Sequence, residues 1–343
     1  MTRIPLLLAA FLLLLGCGTD EPDGPAVPSV DRTELLTHWA DNVIVPAFQD
    51  YAAAADRLHI AAEAFAADPR PETERALQSE FEEAYVSWQY VSPFMTGPGE
   101  DLRLLEQTNI YPTDTTRVLD ADVNLELPSN ADIQGFPAID YLIYGSRPPA
   151  QHPAALTART ARLADLAGRA RDAWTDDYRQ VYLAASGSNA TASVDRTVND
   201  FIFWYEKHLR AGKVGIPAGV FSSGPAAGRA EAPYHGQLSH RLLVAGLRAA
   251  AEFLSTEPGL LSSLDALGVE RDGQLLSSRI EGNFALADAA ADALDADLAT
   301  QVRTDNAAML QLYDVLQRNV ILLKVDMLQA LNINVDYVDA DGD

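Results

Sequence analysis

The most compact chemical signal in the chain is Gly135-Phe136-Pro137-Ala138-Ile139-Asp140-Tyr141-Leu142-Ile143-Tyr144-Gly145. Gly-Phe-Pro opens a helix with Pro137 near its first turn, and Gly145 ends it. Ile139, Leu142 and Ile143 share the apolar face. Asp140 lies one step from that face in the first turn, where the helix dipole favours a carboxylate. The other reactive residue types are scattered. The six histidines (His38, His59, His152, His208, His235 and His240) form no His-Glu-x-x-His zinc pair. His235 and His240 are five apart, a poor helical pairing for a shared metal. No Gly-x-Ser-x-Gly nucleophile elbow occurs, and Cys17 is the only cysteine, so no intrachain disulfide forms. Carboxylates are abundant, and their oxygens suit hard cations better than zinc. The spaced acids Asp288, Asp292 and Asp295 and the terminal Asp339, Asp341 and Asp343 read as solvated surface.

The 343 residues carry 25 Lys+Arg against 49 Asp+Glu, a net charge of -24, so a nucleic-acid partner is excluded for want of a basic footprint. At 48% hydrophobic residues the chain is a folding chain, not a disordered acidic one. Its length suits about two domains at roughly 150 residues each.

Positioning falls to helices. Apolar residues recur at three and four along Leu36–Leu58, Leu77–Val91, Leu163–Val181, Val194–Leu209, Leu238–Ala249, Ile280–Leu298 and Met309–Leu331. Period-two runs are nearly absent, so the fold class is all-α, with two helical bundles side by side. The N-terminal bundle spans 31–190 and the C-terminal bundle 191–343, joined near 186–193. Pro46 should kink or break the first helix. Two proline- and glycine-rich stretches, 93–134 and 211–236, are expected as ordered functional loops.

The first thirty residues give an address. Arg3 and the apolar stretch Ile4–Leu15 suit a signal peptide over 1–16, too short to span a bilayer. Leu14-Leu15-Gly16-Cys17 resembles the bacterial lipobox, which implies acylation of Cys17 and a lipid bilayer as partner. Residues 17–30 then read as a flexible tether. The body is expected in the cell envelope, facing the periplasm or the exterior.

The motif segment resembles the signature of the imelysin-like family, also called peptidase M75. That signature is Gly-x-His-x-x-Glu followed by Tyr-Leu-Leu and a glycine. Agreement extends along the chain. Asn42-Val-Ile-Val-Pro-Ala-Phe is similar to the family's first helix. Trp88 through Gly97-Pro98 and Asn109-Ile-Tyr-Pro-Thr-Asp are similar to its middle. Tyr205-Glu-Lys-His-Leu-Arg-Ala-Gly-Lys-Val-Gly-Ile-Pro-Ala-Gly is similar to its glycine-rich stretch. The last stretch, Tyr337-Val-Asp-Ala-Asp-Gly-Asp, resembles the end of some members.

Two positions depart from the signature. Pro137 stands at the family's His, and Asp140 at its Glu. A metallopeptidase needs about three protein ligands and a polarised water, so peptidase activity is not expected here. The resemblance implies an envelope protein that binds iron, free or chelated, within iron uptake, with an iron-uptake protein of the envelope as partner. Asp140 is the motif carboxylate. Glu83, Glu106 and Asp114 are expected to converge on it, Tyr111 to supply a phenolate or line the pocket, and Lys213 to neutralise a carboxylate or hold an anion. A non-catalytic interaction module with a degenerate ligand site is the alternative, and its partner would dock on the 93–134 and 211–236 loops.

Overall fold

The structure, a computed structural model, describes residues 31–335. The signal segment, Cys17, its tether and the acidic tail from residue 336 lie outside the described residues. Helices of eight residues or more are numbered here in chain order.

Asp31 opens the chain's first helix, α1 (Arg32–Trp39), by accepting the amides of Thr33 and Glu34. A wide π-helical turn, Ala40–Ile44, leads directly into α2 (Val45–Ala67). Pro46 therefore does not break the helix. It sits just after the π-helical turn, within a run of right-handed helical angles, and that widened turn accommodates the proline inside a continuing helix. α2 packs between α3 (Pro71–Val91) and α5 (Pro153–Ala173), and α4 (Gly135–Tyr144) packs on α5. The second half holds α6 (Ser193–Trp204), α7 (Leu238–Ser255), α8 (Leu276–Asp292) and α9 (Asn306–Ile321). α8 packs on α7 and α9, and α7 lies against α3 of the first half. One core runs through both halves: the Phe253 ring meets Trp39 at 5.0 Å, Phe94 at 5.0 Å and Phe201 at 4.9 Å.

Two stretches differ from expectation. The stripe expected to end at Leu298 stops at Asp292, and Leu298 opens a separate short helix, Leu298–Thr304. Asp297 caps that helix by accepting the Ala299 amide, so a new start was written into the stripe. Residues 211–218 are helical, not loop. α6 runs on through a π-helical stretch, Tyr205–Gly215, into Ile216–Ala218. The glycines there serve close approach. A Cβ on Gly212 would lie 3.0 Å from the Tyr111 hydroxyl, and one on Gly215 would lie 2.7 Å from Phe221 and 2.8 Å from Tyr313.

The 93–134 stretch is irregular, as expected, with short helices at Pro98–Asp101 and Leu104–Thr108. Fully buried Arg159 braces it, donating to the carbonyls of Ile133 at 3.2 Å and Asp120 at 2.7 Å. The only strands among the described residues are Glu270–Arg271 and Gln274–Leu275, turned at Asp272-Gly273, both with positive φ. No described helix is long and apolar enough to cross a membrane.

Buried Asp195 ties the two ends of the described chain together. It pairs with Arg32 and accepts from the Asn334 backbone amide at 2.7 Å and side-chain amide at 2.9 Å. Asp195→Ala leaves three donors short of an acceptor and should cost about 2 kcal/mol. Urea unfolding reads the loss, and protease cleavage near residue 334 should rise with it. Unchanged values for both would show that the clamp carries no stability.

Candidate functional site

The motif helix is placed by its own first residues. Gly135 has φ +70°, and a Cβ there would lie 2.1 Å from the Thr108 carbonyl oxygen. That close approach lets Phe136 stack on Tyr85 of α3, 4.2 Å apart and 5° from parallel. The helix ends where expected, with the Gly145 amide donating to Tyr141.

Asp140 is fully buried. Its two carboxylate oxygens are both in use: Oδ2 accepts the Tyr234 amide and Oδ1 the His235 amide, each at 3.0 Å. Burial pushes this carboxyl up to about 7, against the pull of the two amides. Asp140 therefore clamps the segment before α7. The same segment is fastened at its surface. The His235 ring meets Glu82 at 3.0 Å, Glu82 also pairs with Arg241, and the Tyr144 ring lies 4.5 Å from His235.

Deeper lies a buried polar chain assembled from four separate stretches. Tyr85 donates its hydroxyl to Asn109 at 2.6 Å. Asn109 donates to one oxygen of Glu231 at 2.7 Å, and Lys213 pairs with the other. Glu231 and Lys213 are buried. Burial pulls the Lys213 ammonium below the ordinary lysine range, and the Glu231 charge opposes that pull. His208, one turn before Lys213, is driven down to about 4 by burial and by the lysine's charge, so it is neutral at pH 7. Burial and the Glu231 charge raise the Tyr111 phenol, so with no metal ion beside it the group is a hydroxyl at neutral pH. Asn109, Tyr111, His208, Lys213 and Glu231, with Trp88, Gln89 and Trp204, line a narrow cavity, with room for about one water.

The structure brings together two of the expected residues and separates the rest. Tyr111 and Lys213 share the cavity, and Lys213 does neutralise a carboxylate, that of Glu231. Asp140 lies beside this group, close enough for its charge to raise the Tyr85 phenol. Glu83, Glu106 and Asp114 do not converge on it. Glu83 is two residues from inward-facing Tyr85, about 200° round the helix, and its side chain is 62% exposed beside Arg241. Glu106 turns outward between buried Leu104 and Thr108 and pairs with Arg103. Asp114 folds back on its own turn, accepting the Thr116 amide at 2.9 Å and hydroxyl at 2.6 Å.

Among the described residues no group of three His, Cys, Asp or Glu side chains could hold a metal ion. Each oxygen of Asp140 and Glu231 already accepts one N–H donor. Sequence reasoning missed Glu231, Asn109, Tyr85 and His208 as a group. One signal was present: Glu231 is the only acidic residue between 211 and 236, in the same stretch as Lys213.

The family described as Imelysin (Peptidase M75) matches residues 44–321. No curated protein matches the chain. Solved structures that share its fold include two imelysin-type proteins. An imelysin-like protein from Psychrobacter arcticum 273-4 superposes with a TM-score of 0.73 at 20% identity, covering 91% of this chain and 100% of its own. An iron-regulated protein A precursor from Parabacteroides distasonis ATCC 8503 gives 0.73 at 12% identity, covering 90% of this chain and 97% of its own. The all-helical architecture and the extent of the family match agree: the chain belongs to the imelysin family.

Proposed function

We propose that this protein is a lipid-anchored binding protein of the bacterial cell envelope that takes up iron in chelated form, as one step of iron uptake. The observation that carries the chelate over the bare ion is the donor set around the cavity. Lys213 and Asn109, both engaged by Glu231, and Tyr111 carry N–H and O–H groups, which suit the oxygens of a chelator that displaces that carboxylate. The name of the Parabacteroides relative supports a link to iron. Acylated Cys17 would supply the membrane anchor, and an envelope iron-uptake protein the partner.

Binding is favoured over peptide hydrolysis. Pro137 offers no ligand where the family has an imidazole, and both oxygens of Asp140 hold backbone amides. The same use of Asp140 favours the second reading, an interaction module in which the motif survives as a structural clamp.

Calorimetry on the full-length chain separates the two. Ferric citrate should bind saturably in the micromolar range, and Tyr111→Phe, which removes one donor, should weaken it about tenfold. Ferric ion alone should bind no better to the wild type than to Tyr111→Phe. If neither protein takes ferric citrate, the binding reading fails and the interaction module replaces it.

A further inference from the structure

One short segment of the chain carries its own carboxylate into the cavity. Residues 228–236 have no regular structure beyond a turn at Ala227–Arg229. Glu231, near the middle, reaches Lys213 and Asn109. Tyr234 and His235 are fastened to Asp140 and Glu82. The ends are glycines. A Cβ on Gly228 or on Gly236 would meet nothing within 4 Å, so packing does not require glycine at either end. Gly236 uses a positive φ of 77°. Ala232, next to Glu231, is held at φ +49°, a conformation that costs an alanine about 1 kcal/mol or more and persists only where surroundings enforce it.

Glu231 also supplies the cavity's main acceptor. Its neighbours there include the Lys213 ammonium, the Asn109 amide and the Tyr111 hydroxyl. With the Glu231 side chain withdrawn, these donors face an empty space shaped by a carboxylate. Lys213 is one of three lysines in a chain of net charge -24, so a buried ammonium here is a local exception to an anionic surface.

We propose that Glu231 is an internal stand-in for the carboxylate of an incoming ligand, and that residues 228–236 form a strap that lifts when such a ligand takes its place on Lys213 and Asn109. This deepens the chelate-binding reading and rests on it for the identity of the site. It names the ligand class as small molecules bearing carboxylates, and it explains why the cavity, with Glu231 in place, has room for about one water. One ligand carboxylate oxygen takes the ammonium and the other the amide, as the Glu231 oxygens do. Glu231 then moves to solvent with the strap, so the charge at Lys213 stays balanced.

The test uses iron-free citrate and the full chain. Hydrogen exchange reads the Tyr234 and His235 amides, and calorimetry reads affinity. Two variants are compared with the wild type: His235→Ala, which loosens the strap without touching the Lys213 pair, and Glu231→Ala, which removes the stand-in. Saturating citrate should speed exchange of the two amides at least tenfold in His235→Ala. Glu231→Ala should bind citrate at least tenfold more tightly than the wild type. If citrate leaves the amides unchanged in both wild type and His235→Ala, the proposal is overturned, even where Glu231→Ala gains affinity, since a simple vacancy would do the same. Ferric citrate binding by the wild type is a separate readout. Its absence alongside citrate-driven strap opening would remove the iron reading and leave the strap.

Discussion

Lys213→Met is expected to lower the unfolding free energy by about 3–5 kcal/mol, the range found when one partner of a buried ion pair is removed. The loss comes from what remains. Glu231 stays buried, keeps one hydrogen bond from Asn109, and has no cation beside it. The protein can respond by protonating Glu231 or by pulling the strap into water, and both cost free energy. Methionine fills the space of the lysine stem, so the cavity term is small. The double variant Lys213→Met with Glu231→Gln separates charge from packing. It removes the stranded carboxylate, keeps an acceptor for Asn109, and should recover more than half of the loss. Urea denaturation of the wild type, both single variants and the double variant closes the cycle. A double variant no more stable than Lys213→Met would show that the pair matters for shape, not for charge.

Gly135→Ala should cost about 3 kcal/mol or more, from two sources that add. The φ of +70° is unfavourable for any residue with a Cβ. The new methyl would also sit 2.1 Å from the Thr108 carbonyl oxygen, 2.5 Å from its carbon and 2.8 Å from its Cα, all backbone atoms that cannot turn aside. Relief requires the motif helix to move, which would separate Phe136 from Tyr85 and drag Asp140 away from the Tyr234 and His235 amides. Thermal unfolding and amide exchange at 234 and 235 should therefore change together. Gly228→Ala is the control. Its Cβ meets nothing, and with less freedom in the unfolded chain it should be neutral or slightly stabilising. Equal losses in the two variants would refute the steric account.

These two residues belong to one mechanical arrangement. Gly135 sets the motif helix against the 93–134 stretch, Asp140 on that helix holds the strap, and Glu231 on the strap neutralises Lys213. The carboxylate at the last position of the divergent motif holds two backbone amides 94 and 95 residues away.

The apolar period by itself determined the fold class. Helices α2, α3, α5, α6, α7 and α9 follow stripes at three and four, because burying one face of a helix requires that spacing whatever the helix packs against. The Gly-Phe-Pro opening and the Gly145 stop of α4 were legible for a similar reason, since the backbone conformation at a helix end is a local property. The divergence at Pro137 and Asp140 was legible too, as was the pairing of Lys213 with some carboxylate. Tertiary structure alone decided which one. Lys213 and Glu231 are 18 residues apart, Tyr85 and Asn109 24, and Asp140 and its amides 94 and 95. No periodicity encodes such separations. Glu83 and Glu106 looked equivalent to Glu231 as carboxylates, and only the direction in which each backbone presents its side chain separates them. The glycines at 212 and 215 read as loop because a glycine's sequence signal is the same whether it frees the backbone or makes room for Tyr111 and Tyr313. What must pack close across the fold is a property of two surfaces meeting, and a single strand of sequence holds only one side of each.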